Sequence, residues 1–209
     1  MLILTIIASF TAFTLFIWIF EPMIYEPLPP ALIVSAGVFM LGFSIAWSAY
    51  KGYTGEREVG RELSKLPDDY AVFFNVPLEG LDADVVVVGP TGVYVLEVKN
   101  WSNCVLTPRK ERWIRIPKRW MFYGQAYEVS SPTRQAVKAA TRVRSLVKTW
   151  VEAIAVFPRS AKCPVREYES VKILYFDEIA SYILSKPPKL SAKKIHELEK
   201  ILRDYASAV

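Results

Sequence analysis

Two valine-rich runs on either side of a short turn most constrain the fold of this chain. Val85–Val88 and Val93–Val98 are rich in β-branched residues, and residues 89–92 (Gly-Pro-Thr-Gly) between them are typical of a turn. The pattern predicts two adjacent antiparallel strands in which Val88 pairs with Val93. An apolar hairpin of this kind belongs in the middle of a buried sheet.

Three charged side chains interrupt these apolar strands. Asp84 precedes the first run, and Glu97 and Lys99 lie two residues apart at the end of the second run, so both project from one face. Counting outward along the predicted pairing places Asp84 opposite Glu97, with Cβ atoms about 4.5–5.5 Å apart. Two carboxylates this close repel each other unless positive charge lies between them. A divalent metal helped by the Lys99 ammonium would supply that charge, which predicts a metal-dependent phosphodiesterase centre.

The charge and histidine content restrict the chemistry further. Residues 51–209 contain all 26 Lys and Arg and all but two of the 21 Asp and Glu, so this part of the chain is basic and favours an anionic partner. His196 is the only histidine, which excludes His-x-x-x-His zinc helices and every nuclease centre that needs two histidines. Two cysteines indicate a reducing compartment. Catalysis would therefore depend on carboxylates, lysine and a metal.

The first 50 residues contain two uncharged apolar runs. Residues 1–20 and 31–50 each have the length of about 20 residues that a membrane-spanning helix needs, and the connector 21–30 is short, acidic and rich in proline. We predict a transmembrane hairpin over 1–50 and a soluble domain over 51–209. Basic residues follow the second run and the connector has none, which predicts that both termini and the soluble domain are cytoplasmic. The lipid bilayer is then a partner.

Strand and helix patterns alternate through the soluble domain. Apolar periodicity predicts helices over 54–66, from Ser131 through Trp150, over 177–184 and over 192–206. Besides the valine hairpin it predicts strands over 70–76, 152–157 and 171–176, and a basic edge strand over 109–116. The predicted fold class is α/β, a mixed β-sheet flanked by helices.

Short motifs occur in a fixed order along this domain. They are Gly55-Glu56, residues 81–84 (Leu-Asp-Ala-Asp), residues 89–93 (Gly-Pro-Thr-Gly-Val), residues 97–101 (Glu-Val-Lys-Asn-Trp), and Ser131-Pro132 with Gln135. Together, over about residues 54–180, they resemble the NERD (nuclease-related) domain, a member of the PD-(D/E)xK or restriction-endonuclease-like superfamily. Val85 stands where the family often has histidine, and Asn103 where it usually has glycine. Neither is an expected metal ligand.

The resemblance implies a restriction-endonuclease-like mixed sheet flanked by helices and a nuclease activity. Asp84 and Glu97 are then expected to bind Mg²⁺, or Mn²⁺, with the Val98 carbonyl as a third ligand. Lys99 would orient or deprotonate the attacking water and offset transition-state charge. A purely structural Glu97–Lys99 ion pair is the alternative.

Glu56 and Gln135 have two interpretations each. Glu56 would support the metal, or would be an ordinary first-turn acid stabilised by the helix dipole. Gln135 would contact the nucleophilic water, Lys99 or a phosphate, or would cap the helix.

The segment from 109 to 123 is both basic and aromatic. Its cations are Arg109, Lys110, Arg112, Arg115, Lys118 and Arg119, and its aromatic residues are Trp113, Trp120, Phe122 and Tyr123. The composition suits phosphate neutralisation and base stacking on nucleic acid, DNA rather than RNA. A solvated edge strand or contact with anionic lipid explains it equally well.

The sequence therefore predicts a membrane-anchored, Mg²⁺-dependent nuclease. The alternatives are a catalytically inactive nucleic-acid-binding module and a scaffold element at the cytoplasmic membrane face. Intact Asp84, Glu97 and Lys99 count against loss of activity, since degenerate sites usually lose one such residue.

Overall fold

The computed structural model describes Phe13 and residues 30–119 and 122–208. The chain divides into two compact units, Met1–Tyr53 and Thr54–Val209. Helix α1, Pro30–Leu63, contributes residues to both units. The sequence predicted a separate helix beginning at Thr54, which is wrong. No proline interrupts residues 31–63, and a glycine inside a helix costs only about 1 kcal/mol, so the helix continues through Thr54 and Gly55.

The first unit carries many apolar side chains. Val38, Met40 and Leu41 are exposed, and the Phe13 ring stacks on Phe39 with ring centroids 5.6 Å apart. Among the described residues, no helix combines the length and the apolarity that a membrane span requires. The predicted transmembrane hairpin therefore has no support from the structure. Phe13 and Pro30 aside, the first predicted span and the connector lie outside the described residues.

Within residues 30–119 and 122–208, strands form two mixed sheets. The strands are β1 Ala71–Leu78, β2 Leu81–Gly89, β3 Gly92–Val98, β4 Cys104–Thr107, β5 Arg112–Arg119, β6 Phe122–Tyr123, β7 Tyr127–Ser130, β8 Val151–Phe157, β9 Ala161–Lys162, β10 Glu167–Tyr168 and β11 Val171–Tyr175. The central sheet has the order β1-β2-β3-β8-β11-β10. Because β3, β8 and β11 are parallel, their carboxyl ends meet at one edge of this sheet.

The valine hairpin has the predicted register. Val88 pairs with Val93, and Val85 pairs with Leu96. The strands extend one residue further than predicted at the turn, because Gly89 and Gly92 also pair. A Cβ atom at Gly89 would lie 2.1 Å from the Tyr70 ring, so only glycine fits beneath that aromatic side chain.

The second sheet was not predicted. Its order is β6-β5-β4-β9, and β7 also pairs with β5. The basic segment is therefore not an edge strand, since β5 has a neighbour on each side. Trp113 on β5 is fully buried, and its ring stacks on Phe157 with centroids 5.8 Å apart. Burial of a large aromatic side chain explains why this strand is covered rather than left at an edge.

Helices cover both faces of the central sheet. Helix α2, Pro132–Val147, begins at the Ser131 cap and packs on the face that carries Val93 and Val95. The C-terminal part of α1 packs on the opposite face, which carries Tyr94 and Leu96. Further elements are a 3₁₀ helix, Phe176–Glu178, and helices α3, Ile179–Leu184, and α4, Ala192–Ala208. Two mixed sheets flanked by helices fit the expected restriction-endonuclease-like fold.

Helix α1 approaches the end of the valine hairpin very closely at Gly55. A Cβ atom there would lie 2.8 Å from the Asn100 Cβ, whereas a Cβ atom at Gly60 would meet only the Phe74 ring at 3.6 Å. We expect Gly55→Ala to lower the free energy of unfolding by about 1–3 kcal/mol, since neither Cβ can move without the backbone. Gly60→Ala, the matched control, should be neutral or stabilising by up to about 1 kcal/mol. Urea denaturation measures both, and equal stability of the two variants would contradict the prediction.

Candidate active site

Asp84 and Glu97 lie on adjacent strands at one end of the valine hairpin. Val85 and Leu96 are the paired residues farthest from the turn, and Asp84 directly precedes Val85 in the chain. The Asp84 Oδ2 accepts a 2.7 Å hydrogen bond from the Val98 N–H. Glu97 is next to Leu96 on β3. The hairpin register therefore places the two carboxylates beside each other, as the sequence predicted.

The three charged side chains share one face of the sheet. Strand alternation puts Asp84 on the side of Val86 and Val88, and puts Glu97 on the side of Val93 and Val95. All four valines pack toward α2. Lys99 is on this side as well, because its Nζ lies 2.5 Å from Glu97 Oε1.

Burial opposes ionisation of both carboxylates. Glu97 is only 6% exposed, and desolvation raises its pKa; the nearby Asp84 raises it further and Lys99 lowers it. Desolvation also raises the pKa of Asp84, against the opposing effects of the Val98 N–H and Lys99. One ammonium thus faces two partly desolvated acids, and the site favours additional positive charge.

Gln135 supplies an unpartnered acceptor on the same side. It lies in the first turn of α2, and its Oε1 is buried without a hydrogen-bond partner. The next residue, Ala136, shares a cluster with Ala155, which is the β8 partner of Glu97. The first turn of α2 therefore lies at the Glu97 end of the sheet. A buried oxygen without a donor is costly, so it suits a ligand, a water or an ammonium group.

Glu56 is not brought into this group. Its side chain is exposed, and α1 packs through Val59 and Leu63 on the sheet face opposite to α2. Among the described residues, no set of three or more His, Cys, Asp or Glu side chains is placed to hold a metal ion. That Glu56 supports the metal therefore stays a prediction, and its side chain is exposed on α1. Because α1 begins at Pro30, Glu56 is also not a first-turn acid.

The remaining oxygens still suit a divalent cation. Mg²⁺ is usually held by one or two carboxylates, with waters and substrate phosphate oxygens completing its shell. Asp84 and Glu97 provide two carboxylates on one face, at neighbouring positions of the β2–β3 hairpin. The donor set therefore fits the predicted metal with two side-chain ligands.

The basic segment separates into exposed and covered cations. Arg109 and Lys110 are exposed between β4 and β5, Arg112 is exposed on β5, and Lys118 is exposed near the end of that strand. Arg119 ends β5. Arg115 is partly buried, with its guanidinium carbon 5.6 Å from the Trp101 ring centroid and 5.8 Å from that of Tyr127.

Of the aromatic residues in that segment, the structure describes the side chains of Trp113 and Tyr123. Trp113 is fully buried, and Trp120 lies outside the described residues. Tyr123 is 63% exposed and remains accessible. Sequence alternation alone could not tell which face of β5 would be covered.

Two features escaped sequence reasoning. The Asn100 side chain donates to the Thr54 hydroxyl at 3.0 Å, which ties the chain after Lys99 to α1. Trp150 was assigned to the buried stripe of a longer helix, but α2 ends at Val147 with Lys148 in the left-handed region, and Trp150 is 66% exposed. No glycine or proline at that position signals the helix end.

A comparison with protein-family profiles indicates the class of this domain. The family profile described as the nuclease-related domain, NERD, matches residues 51–158, slightly more than half of the chain. An uncharacterized protein of Bacillus anthracis is 24% identical over 176 residues, which cover 79% of each chain. No solved structure matches significantly.

The raised pKa values predict how metal-free stability depends on pH. Both carboxyls have folded-state pKa values above the ordinary 3.8 and 4.5. Their ionisation therefore lowers the free energy of unfolding as the pH rises above these ordinary values, and this loss of stability is absent at lower pH, where both carboxyls are protonated. Asp84→Asn keeps an acceptor for the Val98 N–H and removes the charge. We expect it to raise stability at pH 7 in chelator, with a gain that shrinks toward pH 4. Urea denaturation across this pH range measures the effect.

Asp82→Asn is the matched control, since Asp82 is an exposed carboxylate on the same strand. It should give a smaller gain than Asp84→Asn. Loss of stability in Asp84→Asn at pH 7 would show that the carboxylate is net stabilising without metal and would refute the prediction.

Proposed function

We propose that this chain, which belongs to the nuclease-related (NERD) domain family, is a metal-dependent nuclease of the PD-(D/E)xK type that hydrolyses phosphodiester bonds, with DNA favoured over RNA. The observation that carries the proposal is the grouping of Asp84, Glu97 and Lys99 on one face of the central sheet. An apolar sheet has no structural need for three charges there, and burying them is costly.

Asp84 and Glu97 would hold the metal, Mg²⁺ or Mn²⁺, with the Val98 carbonyl as a further ligand. A bound divalent ion lowers the pKa of a water ligand and stabilises charge on phosphoryl oxygens. The Val98 N–H fixes the orientation of the Asp84 carboxylate through its 2.7 Å hydrogen bond. The β3–β8 ladder fixes the backbone of Glu97 through its pairing with Ala155.

Lys99 is the group that would act on the nucleophile and the transition state. Its ammonium is held by Glu97 at 2.5 Å, yet its side chain keeps 23% exposure and can reach solvent or substrate. A positioned cation can orient an attacking water and offset charge that develops on the phosphoryl group. The unpartnered Gln135 Oε1 would accept a hydrogen bond from that water or from Lys99.

Exposed cations beside the centre would bind the substrate backbone. Arg109 and Lys110 lie in the turn before β5, next to Glu111, whose carboxylate is 3.9 Å from the Arg134 guanidinium in the first turn of α2. This contact brings the basic turn to the helix end that carries Gln135. Phosphate neutralisation at such a turn would give sequence-independent, salt-sensitive binding.

Residues 1–50 would anchor the nuclease to the cytoplasmic face of a membrane. This part of the proposal rests on the two uncharged runs and on the basic residues that follow the second run. A cysteine placed at position 27 should be labelled from outside intact cells by an impermeant maleimide, and a cysteine at position 57 should not. The reverse pattern would overturn the orientation, and labelling of neither or both would argue against a spanning hairpin.

An inactive nucleic-acid-binding or scaffold module is the second candidate. The close Glu97–Lys99 pair favours it, because two opposite charges can satisfy each other without a metal. Asp84 counts against it, since one lysine compensates only part of the charge of two partly buried acids.

Substitutions at the centre should separate turnover from binding. Glu97→Gln and Lys99→Met should reduce Mg²⁺-dependent cleavage of plasmid and linear DNA by about 10²–10³-fold or more, because their groups act mainly on transition-state charge. Binding should persist. Joint replacement of Arg109, Lys110 and Arg112 by Gln should weaken binding and reduce the salt slope by up to about 3. Cleavage assays and fluorescence anisotropy measure these effects.

Asp82→Asn serves as the control for loss of one acid on the same strand, and should cleave at nearly the wild-type rate. Wild-type rates in the Glu97 and Lys99 variants would assign any activity to another site or a contaminant. Binding without cleavage in the wild type, with Mg²⁺ and with Mn²⁺, would favour the inactive module.

A further inference from the structure

Trp150 is a large aromatic residue held at the surface by ordered elements. It lies between Val147, the last residue of α2, and Val151, the first residue of β8, and its side chain is 66% exposed. The Arg144 guanidinium carbon lies 4.8 Å from its ring centroid. The ring is therefore restrained by a cation while most of its surface faces solvent.

Two depressions meet at this indole. Thr141, Arg144, Ser145, Lys148, Thr149 and Trp150 line an open depression of about 590 Å³. A second depression, of about 220 Å³, shares Thr149 and Trp150 and extends to Lys189 and the hairpin turn at Thr91. Hydroxyl groups, cations, the Glu152 carboxylate and one exposed ring thus border the two neighbouring depressions.

The helix that leads to Trp150 is strongly basic. Residues 132–148 contain five basic residues and no acidic residue. Arg134 and Arg142 face Glu111 and Glu79 across the surface at 3.9 and 3.7 Å. Within the described part of the chain, Lys138, Arg144 and Lys148 have no carboxylate partner, so these three cations are available to an anionic ligand.

The α2 surface runs from the candidate active site to the opposite end of the sheet. Ala136 packs near Ala155, the partner of Glu97, whereas Val147 packs near Val151 and Val93 at the other end. A helix rises about 1.5 Å per residue, so the exposed face between Ala136 and Val147 is about 17 Å long. That length corresponds to about five nucleotides at B-form spacing.

We propose that the outer face of α2 and Trp150 bind a single-stranded segment of nucleic acid that extends from the catalytic centre. Phosphates contact Lys138, Arg144 and Lys148, and an unpaired base stacks on the Trp150 indole. The inference that the strand runs along α2 away from the catalytic centre rests on the proposed nuclease function. It adds a stacking site at the end of the sheet remote from Asp84 and Glu97.

Helix electrostatics alone do not account for this surface. Cations in the last turn of a helix are stabilised by the macrodipole, which explains Arg144 and Lys148. The dipole gives no reason for an exposed indole beside them or for Lys138 in the first half of the helix. Base stacking on an exposed aromatic ring, combined with phosphate contacts, is the usual chemistry of single-strand binding.

The test measures binding without catalysis, on the full-length protein in EDTA. Fluorescence anisotropy compares single-stranded oligonucleotides of about 4 and about 16 nucleotides with a blunt duplex of the longer sequence. We expect Trp150→Ala to weaken binding of the long single strand about tenfold or more and to leave the short strand and the blunt duplex nearly unchanged. Trp150→Phe should retain most of the affinity, because phenylalanine also stacks.

Charge variants test the phosphate contacts. Joint replacement of Arg144 and Lys148 by Gln should lower the single-strand salt slope by about 1.4. Arg57→Gln is the matched control, since Arg57 is an exposed cation on α1, which packs on the opposite sheet face. It should leave binding and salt slope unchanged.

Three results would overturn the inference. The first is unchanged affinity of Trp150→Ala for the long single strand, and the second is an equal loss of affinity in Trp150→Phe. The third is displacement of the oligonucleotide by poly-glutamate at equal charge concentration, which would indicate an acidic protein partner instead. If the wild type cleaves DNA and Trp150→Ala binds the long single strand as tightly as the wild type, the stacking surface is refuted and the nuclease proposal is retained. If Trp150→Ala weakens single-strand binding but the wild type does not cleave with Mg²⁺ or Mn²⁺, the nuclease proposal is refuted and the single-strand-binding surface is retained.

Discussion

The register between β2 and β3 determines where every charged group of the candidate site lies. Pairing of Gly89 with Gly92 fixes the ladder as far as Val85 and Leu96, and thereby brings Asp84 beside Glu97. A slip of one residue would move each side chain of one strand to the other face, and one of the two carboxylates would then lie on the side that α1 covers. The two-residue turn and the close approach of Tyr70 to Gly89 hold this register at the end of the sheet remote from the site.

That register imposes an electrostatic cost on the sheet. Burial raises the pKa of both Asp84 and Glu97, and one lysine compensates only part of their charge. The buried Gln135 Oε1 adds another polar atom without a partner. Such features concentrate where a ligand supplies the missing interaction. The geometry and the electrostatics are therefore consistent with the proposed metal-assisted centre.

Local sequence patterns predicted the parts of the fold that depend on neighbouring residues. The Val88–Val93 pairing follows from β-branched runs around a turn, and the start of α2 follows from the Ser131 cap. The second sheet was missed because β6 and β9 have two residues each, and β9 pairs only with the sequence-distant β4. The side of the sheet on which Glu56 lies could not be predicted, because its helical phase says nothing about which sheet face α1 covers.

Two tryptophans, Trp113 and Trp150, have the opposite burial from the one that the sequence predicted. The composition of the basic segment suited Trp113 to base stacking, yet its buried ring packs against Phe157. Trp150 continued the apolar stripe of α2, yet the left-handed Lys148 ends the helix first and turns the chain into β8. Exposure of the second indole therefore depends on one backbone conformation. The same basic helix thus begins near the carboxylates and ends beside an exposed aromatic ring, so under the two proposals one element would position both the catalytic groups and the substrate.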